Sequence, residues 1–127
     1  MQIDRSRCED ILLVEDDDDI RTALGEILED EGYRVTTVPH GLAALEALRG
    51  GGTPALILLD LYMPVMDGLE FLNQRRQLGA RSASVPVVLF SASGSLPDVS
   101  VSDVLRKPVE VDQLLEVLAR FNVPRAS

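Results

Sequence analysis

The chain of 127 residues contains no tryptophan, few other aromatic residues and a single cysteine, Cys8. One cysteine cannot close a disulfide within the chain, which is typical of proteins from reducing compartments. No apolar run approaches the roughly 20 residues that a membrane-spanning helix requires. The N-terminal residues also lack the long apolar stretch of a secretory signal. We therefore expect a cytoplasmic protein that does not associate with a membrane.

Positive charge is also scarce, because 12 lysine and arginine residues stand against 21 aspartate and glutamate residues, for a net charge of −9. Nucleic-acid backbones bind stripes of basic residues, so this balance argues against direct binding to DNA or RNA. Lysine itself occurs only at Lys107, immediately before Pro108. Because the rest of the chain uses arginine, this one lysine is a candidate for a specific role.

What the chain does contain is an alternation of strand and helix patterns over nearly its whole length. Short apolar runs predict five buried strands, at residues 11–14, 33–38, 55–59, 85–90 and 101–105. Apolar residues at helical spacing predict helices near residues 20–28, 42–48, 69–78 and from 108 onward. Repeated strand–helix units favour an α/β fold, in which helices cover both faces of a parallel sheet. We expect one domain over residues 1–127, with a core at about 9–121 and short flexible termini.

Polar residues follow several of the predicted strands, at the edge of the sheet where parallel strands end. Glu15 and Asp16 follow the first strand, Asp60 the third and Ser91 the fourth, and Lys107 lies just beyond the fifth. If the first and third strands are neighbours, two to three of these carboxylates converge, and two carboxylates about 4 Å apart repel each other by roughly 4 kcal/mol at an effective dielectric constant near 20. Such a cluster requires a cation, protonation or a structural reason, and a few carboxylate oxygens suit Mg²⁺, which keeps several of its waters.

Four segments at these strand ends resemble motifs of the receiver domains of bacterial response regulators. They are residues 14–17 (VEDD), 59–68 (LDLYMPVMDG), 90–92 (FSA) and 106–108 (RKP). Each segment alone is a weak signal, but all four in this order are specific, and the resemblance covers residues 9–121. It implies a flavodoxin-like three-layer fold, whose five-stranded parallel sheet has the strand order 2-1-3-4-5.

The resemblance implies that Asp60 accepts a phosphoryl group from a histidine kinase or a phosphotransfer protein. Ser91 resembles the hydroxyl that turns toward the phosphoryl group, and Lys107 resembles the ammonium that pairs with it. The Lys107–Pro108 peptide bond is expected to be cis. A protein with these features is a signalling switch of a two-component system or phosphorelay, not an enzyme, and it acts on an unknown downstream protein.

The resemblance also implies how Mg²⁺ is held. Asp16 and Asp60 correspond to direct ligands, as does the backbone carbonyl of Tyr62. Glu15 corresponds to a residue that acts through a metal-bound water. Phosphoryl transfer depends on alignment and charge neutralisation more than on covalent help from the protein, and this set of residues supplies both.

Two features depart from the family pattern. Receiver domains usually carry an aromatic residue three positions before the lysine, where this chain has Val104. Only fifteen residues separate Ser91 from Lys107, and they include a Ser-Gly-Ser segment and a proline. The fourth helix is therefore expected to be short or irregular. We expect phosphorylation or a partner to change the order of residues 92–103 more than that of other segments.

Two other functions stay open on the sequence alone. A receiver-like interaction module that signals without phosphate fits both departures, although the acid pair, Asp60 and Lys107 are all present. A Mg²⁺-dependent aspartyl phosphohydrolase would also use an aspartate nucleophile, but such enzymes usually carry a second aspartate two residues later, where this chain has Tyr62. If the chain is complete, the residues after Phe121 are too few for a DNA-binding or enzymatic output domain, so we expect output through protein contact.

Overall fold

The computed structural model describes residues 9–50, 53–60, 68–91 and 101–125, without the side chain of residue 91. Five strands form one sheet: β1 (Ile11–Val14), β2 (Val35–Val38), β3 (Leu56–Asp60), β4 (Val87–Ser91) and β5 (Asp103–Arg106). The helices are α1 (Asp18–Asp30), α2 (Gly41–Arg49), α3 (Gly68–Arg75), α4 (Ala80–Ala83) and α5 (Val111–Arg120), and a 3₁₀ helix spans Arg76–Leu78. Within these ranges, no helix is long and apolar enough to cross a membrane.

The strands are all parallel and lie in the order β2-β1-β3-β4-β5. The predicted α/β fold and its 2-1-3-4-5 strand order are therefore confirmed. β2 lies on one side of β1, and the strands that follow β2 lie on the other side, so β1 lies between β2 and β3. In sheets of this type, ligands bind outside the carboxyl ends of the strands, at the point where the strand order changes side. Here that point lies between β1 and β3, so the residues that follow these two strands are the candidates for a site.

Alternate residues of each strand pack against opposite layers of helices. On one side, Ile11 and Leu13 of β1 share a core cluster with residues of α1 and α5. On the other side, Leu12 and Val14 share a cluster with residues of α2 and α3. Both faces of β1 are buried, which explains why its sequence is a continuous apolar run and does not alternate with polar residues.

Polar side chains cap the helices at the edge of the sheet where the strands end. The side chain of Asp17 accepts a hydrogen bond from the backbone N–H of Ile20 at 3.0 Å and caps α1. Nδ1 of His40 accepts from the backbone N–H of Ala43 at 3.1 Å and caps α2. The single histidine of the sequence is thus a half-buried helix cap.

The boundaries of β2 and β4 differ from the prediction because backbone groups at their predicted starts have other partners. The N–H of Tyr33 donates to the carbonyl of Leu28 at 3.0 Å and closes the end of α1, so β2 begins two residues later than expected. The carbonyl of Val85 accepts a hydrogen bond from Arg75 at 3.0 Å, and β4 begins after it. Similar shifts of two or three residues affect the starts of β5 and α5.

The third predicted helix, at residues 69–78, is interrupted. It ends as α3 at Arg75, continues as the 3₁₀ turn, and stops at Gly79, whose φ of 122° favours glycine. The short α4 then precedes β4 and was not predicted from the sequence. The fourth helix that the sequence predicted between β4 and β5 falls on residues 92–100, which lie outside the described residues.

The buried side chain of Arg75 links the parts of this interrupted segment by hydrogen bonds. Its guanidinium is buried, and Nη1 donates to the carbonyl oxygens of Ser82 at 2.8 Å and Val85 at 3.0 Å. Burial lowers the pKa of Arg75, and the neighbouring charge of Arg76 lowers it further. One side chain therefore joins the end of α3 to the loop that leads into β4.

We predict that Arg75→Met lowers the free energy of unfolding by about 2–3 kcal/mol, since one buried and one partly buried carbonyl lose a charged donor. The adjacent Arg76 is exposed, so Arg76→Met should change the free energy by no more than about 0.5 kcal/mol. Urea unfolding of both variants measures the difference. Equal losses in the two variants would contradict the role given to Arg75.

Candidate functional site

The candidate site lies where the adjacent strands β1 and β3 end. Leu13 and Leu58 belong to the core cluster beneath α1 and α5, and Glu15 and Asp60 come two residues after them, on the same face of the sheet. Glu15 is fully buried, and Asp60 is 4% exposed. The fold therefore sets two carboxylates side by side directly above an apolar core.

A third carboxylate joins them from the loop after β1. Glu15, Asp16 and Asp60 each offer one oxygen, and these oxygens all lie within 4.8 Å of one another. Asp16 is exposed, so the cluster opens to solvent on its side. The carboxylates that follow the first and third strands are thus close together, as expected from the strand ends. Charges of one sign at this separation require positive charge nearby.

Lys107 supplies part of that positive charge. Its Nζ lies 3.3 Å from Oε2 of Glu15 and 3.3 Å from Oδ1 of Asp60. Burial lowers the pKa of Lys107, but the carboxylates of Asp60 and Glu15 raise it by more, so that the pKa lies above its ordinary value. The Lys107–Pro108 peptide bond is cis, as the family resemblance implied.

The single charge of Lys107 does not balance the cluster, and the pKa of Asp60 stays above its ordinary value. Burial raises the pKa of Asp60, a hydrogen bond with Asp16 and the charge of Glu15 raise it further, and Lys107 opposes them, which leaves the pKa at about 7. Near neutral pH, the carboxyl group of Asp60 is therefore only partly ionised. A divalent cation between these residues would favour its ionised form.

One oxygen of the cluster accepts no hydrogen bond in the described part of the chain. Oε1 of Glu15 accepts a hydrogen bond from the N–H of Asp17 at 3.3 Å. Oε2 is buried and has no hydrogen-bond partner among residues 9–50, 53–60, 68–91 and 101–125, because Lys107 approaches it outside hydrogen-bond geometry. A metal-bound water would satisfy this oxygen. Few carboxylates, one of them open to solvent, fit Mg²⁺, which keeps several waters.

Two of the predicted site groups lie outside what the structure describes. They are the backbone carbonyl of Tyr62 and the side chain of Ser91. The backbone of Ser91 ends β4 and pairs with Arg106 of β5, so Ser91 and Lys107 lie at the same edge of the sheet. Val104, which replaces the usual aromatic residue, is half-buried and packs against the core cluster on the α2 and α3 side.

Arg21 contacts the site loop as well, and no pattern in the sequence singled it out. Its Nη1 donates to the backbone carbonyl of Glu15 at 2.9 Å. Its Nη2 pairs with the carboxylate of Asp18 at 2.5 Å. The sequence did offer one signal, because Arg21 is a lone cation one turn into a helix that begins with acidic residues. The contact with a backbone carbonyl could not be inferred from it, because it depends on the path of the loop.

The comparison with protein families agrees with this geometry. The model of the response regulator receiver domain matches residues 11–119. The chain belongs to the response regulator receiver domain family. As a receiver domain, it is related to the signalling proteins of two-component systems, and its acidic cluster lies at the strand ends that the four sequence motifs marked.

Several curated relatives of this receiver domain are longer proteins. It is 39% identical to the uncharacterized transcriptional regulatory protein YkoG of Bacillus subtilis, over 83% of this chain and 47% of YkoG. The chain thus spans about half the length of this relative. It is also 30% identical to sporulation initiation phosphotransferase F of Bacillus subtilis, over 89% of this chain and 93% of that protein.

Solved structures of receiver domains are similar along the whole fold. The receiver domain of the sensor histidine kinase PA1611 from Pseudomonas aeruginosa has a TM-score of 0.80 and 29% identity, over 90% of this chain and 97% of that chain. That structure has a magnesium ion coordinated in its active site cleft. The chemotaxis protein CheY4 of Vibrio cholerae has a TM-score of 0.78 and 29% identity, over 87% of this chain and 96% of that chain.

The raised pKa of Asp60 leads to a prediction about stability and pH. Because the folded pKa lies above the unfolded one, folding takes up a proton between them. The stabilisation is therefore present at low pH and lost as the pH rises through about 7. We expect metal-free wild type to melt at a higher temperature at pH 5.5 than at pH 8, with a slope of at most about 1.4 kcal/mol per pH unit from this group.

Asp60→Asn should lose this part of the pH dependence, and saturating Mg²⁺ should reduce it in the wild type by stabilising the ionised carboxylate at pH 8. Differential scanning calorimetry on both proteins, with and without Mg²⁺, provides the measurement. If wild type and Asp60→Asn had the same pH dependence of melting temperature, Asp60 would not be the group that takes up a proton on folding.

Proposed function

We propose that the chain is a phosphoacceptor switch, with a folded core at residues 9–121. Asp60 accepts a phosphoryl group from the phosphohistidine of a histidine kinase or phosphotransfer protein in a Mg²⁺-dependent reaction. The observation that carries the proposal is that the Asp60 carboxylate belongs to an acidic cluster that could hold a metal ion and also lies 3.3 Å from the ammonium of Lys107. With Mg²⁺ in the cluster, the nucleophile would have two sources of positive charge beside it, which suits phosphoryl transfer.

In the proposed reaction, an ionised oxygen of Asp60 attacks phosphorus and forms an O–P bond. The P–N bond of the phosphohistidine breaks, and the imidazole leaves with the bonding electron pair. The product is an acyl phosphate on Asp60. Nζ of Lys107, now 3.3 Å from Oδ1 of Asp60, is close enough to offset charge on the transferred oxygens. The hydroxyl of Ser91 is proposed to bind one of those oxygens.

The metal site of the proposal uses four groups. Asp16, Asp60 and the backbone carbonyl of Tyr62 would hold Mg²⁺ directly, and Glu15 would hold it through a water. When bound there, Mg²⁺ would supply positive charge to the phosphoryl oxygens and to Asp60. Oε2 of Glu15 supports a water-mediated role for that residue, since in the described part of the chain the oxygen has Nζ of Lys107 at 3.3 Å but accepts no hydrogen bond.

Exposed apolar residues around the site support a protein as the phosphodonor. Within the described ranges, the large apolar side chains that are more than a third exposed are Ile20, Leu42, Leu69 and Val111. Each lies in the first turn of a helix, at the edge of the sheet where the strands end. Ile20 and Val111 also border a cavity of about 540 Å³ that reaches Lys107. Ile20 and Val111 therefore support a protein contact, since they border the same cavity beside the site and adjoining exposed apolar residues are typical of contact surfaces.

We propose that output is a change in protein–protein contacts and not direct DNA binding by this segment. The net charge of −9 supports this, because DNA binding favours basic surfaces. The half-buried Val104 cannot provide the aromatic side chain that receivers usually have at this position. The readout is therefore proposed to use changes in residues 92–103 instead.

The proposal predicts that acetyl phosphate with Mg²⁺ adds one phosphoryl group to the chain, which intact-mass spectrometry detects. Asp60→Asn should abolish the addition because the acceptor oxygen is lost. The matched control is Asp19→Asn, which changes an exposed aspartate outside the cluster and should be modified like wild type. Phosphorylation of Asp60→Asn would contradict the assignment. No modification of wild type, with Mg²⁺ shown to bind, would favour a module that signals without phosphate.

The proposal also predicts opposite effects of Lys107→Met on metal binding and on transfer. Removing the ammonium should tighten Mg²⁺ binding, because a like charge beside the metal is lost. It should slow phosphorylation from phosphoramidate by about 10–100-fold at saturating Mg²⁺, because charge on the transferred oxygens is no longer offset. Arg106→Met removes the exposed neighbouring cation and serves as control. An unchanged rate in Lys107→Met would exclude its proposed part in transfer.

A further inference from the structure

Arg21 joins the first helix to the loop that carries the acid pair. Its side chain is 19% exposed, and its two terminal nitrogens have different partners. Nη1 donates to the carbonyl oxygen of Glu15 at 2.9 Å. Nη2 pairs with Asp18 at 2.5 Å, whose side chain is 84% exposed. An ion pair to so exposed a carboxylate contributes little, so the bond to the carbonyl is the more informative of the two.

The carbonyl that Arg21 holds belongs to the peptide group between Glu15 and Asp16. Because a peptide group is planar, fixing its oxygen fixes the orientation of the following N–H and the position of the Asp16 Cα. The exposed side chain of Asp16 reaches the cluster from this Cα. A rotation of this one peptide would therefore move the Asp16 carboxylate relative to Asp60.

The other bonds of the loop hold different peptide groups. The N–H of Glu15 donates to the carbonyl of Val38 at 3.1 Å, and it belongs to the preceding peptide. The N–H of Asp17 donates to Oε1 of Glu15 at 3.3 Å, and it belongs to the following peptide. Within the ranges that the structure describes, the hydrogen bond from Arg21 is the one that holds the Glu15–Asp16 peptide.

We propose that Arg21 is a positioning residue of the metal site. Its guanidinium fixes the Glu15–Asp16 peptide, so that the carboxylate of Asp16 can share a divalent cation with Asp60. This inference rests on the Mg²⁺ site of the proposed function. It assigns no contact between Arg21 and the metal or the phosphoryl group.

The charge of Arg21 and its geometry have opposite effects on metal binding, which allows them to be separated. A cation near the cluster repels Mg²⁺, so a loss of charge alone should strengthen metal binding. Loss of the fixed peptide should weaken it. Arg21→Lys keeps the charge but loses the planar fork that reaches both partners. Arg21→Gln loses the charge as well. A pure charge effect predicts tighter binding in Arg21→Gln, whereas positioning predicts weaker binding in both variants.

The experiment is calorimetric titration of the metal-free full chain with Mg²⁺. The dissociation constant should rise about tenfold in Arg21→Lys and in Arg21→Gln, as is usual when a supporting residue of a metal site is lost. The matched control Asp18→Asn removes the ion pair but keeps the bond to the Glu15 carbonyl, and its dissociation constant should stay within about twofold of wild type. Tighter or unchanged binding in both Arg21 variants would overturn the proposal, as would an equal loss in Asp18→Asn.

Two further measurements separate positioning from general damage to the fold. In phosphorylation from phosphoramidate, the Mg²⁺ concentration that gives half the maximal rate should rise about tenfold in Arg21→Lys, and most of the lost rate should return at saturating Mg²⁺. A rate that stays low at all Mg²⁺ concentrations would overturn the proposal. In metal-free protein, the backbone amide resonance of Asp16 should shift in Arg21→Lys and not in Asp18→Asn.

The amide resonance also distinguishes this inference from the proposed function. If wild type binds no Mg²⁺, the proposed function fails, and the Asp16 resonance still tests whether Arg21 holds the peptide. If wild type binds Mg²⁺ and the Arg21 variants bind it equally well, only the positioning role fails. If Arg21→Lys does not fold, Arg21→Gln and Asp18→Asn provide the same comparison.

Discussion

Mutual repulsion of three carboxylates is the constraint on which the rest of this site depends. Glu15, Asp16 and Asp60 hold oxygens within 4.8 Å of one another, and two of the three side chains are buried. At about 4 Å, each pair of charges repels by roughly 4 kcal/mol at an effective dielectric constant near 20. Lys107 offsets part of this energy, while burial, the hydrogen bond with Asp16 and the charge of Glu15 together keep the pKa of Asp60 above its ordinary value. A site with this imbalance favours a divalent cation, and a cation bound there would keep Asp60 in the ionised form that the proposed reaction requires.

The fold enforces this arrangement with apolar packing. The same alternation that buries Leu13 and Leu58 beneath α1 and α5 carries Glu15 and Asp60 onto that face two residues later. The carboxylates cannot move apart without disturbing two central strands that are buried on both faces. Asp16 is different, because it lies in the loop and is exposed. Its position depends on local hydrogen bonds, which is why the contact from Arg21 matters.

Much of this could be predicted from the sequence, because parallel strands end at one edge and the residues at their ends are visible in the chain. The apolar runs before Glu15 and Asp60 predicted strands that end at these residues, and the single lysine marked Lys107 as a candidate. The strand order implied by the family resemblance then predicted that the carboxylates lie side by side. Contacts to backbone carbonyls could not be predicted. Arg21 holds the carbonyl of Glu15, and Arg75 holds those of Ser82 and Val85, but a sequence does not show where carbonyl groups point. The late start of β2 was missed for the same reason, since the N–H of Tyr33 bonds to the carbonyl of Leu28 at the end of α1.

The central claim, that these carboxylates together hold one divalent cation, is tested most directly by a crystal structure of the protein with Mn²⁺ in place of Mg²⁺. Mn²⁺ prefers the same oxygen ligands and gives an anomalous signal that locates it. We predict a single anomalous peak between the carboxylates of Asp16 and Asp60, with a water between the metal and Glu15. A structure in which the three carboxylates point apart, with Mn²⁺ elsewhere or nowhere on the protein, would contradict the account.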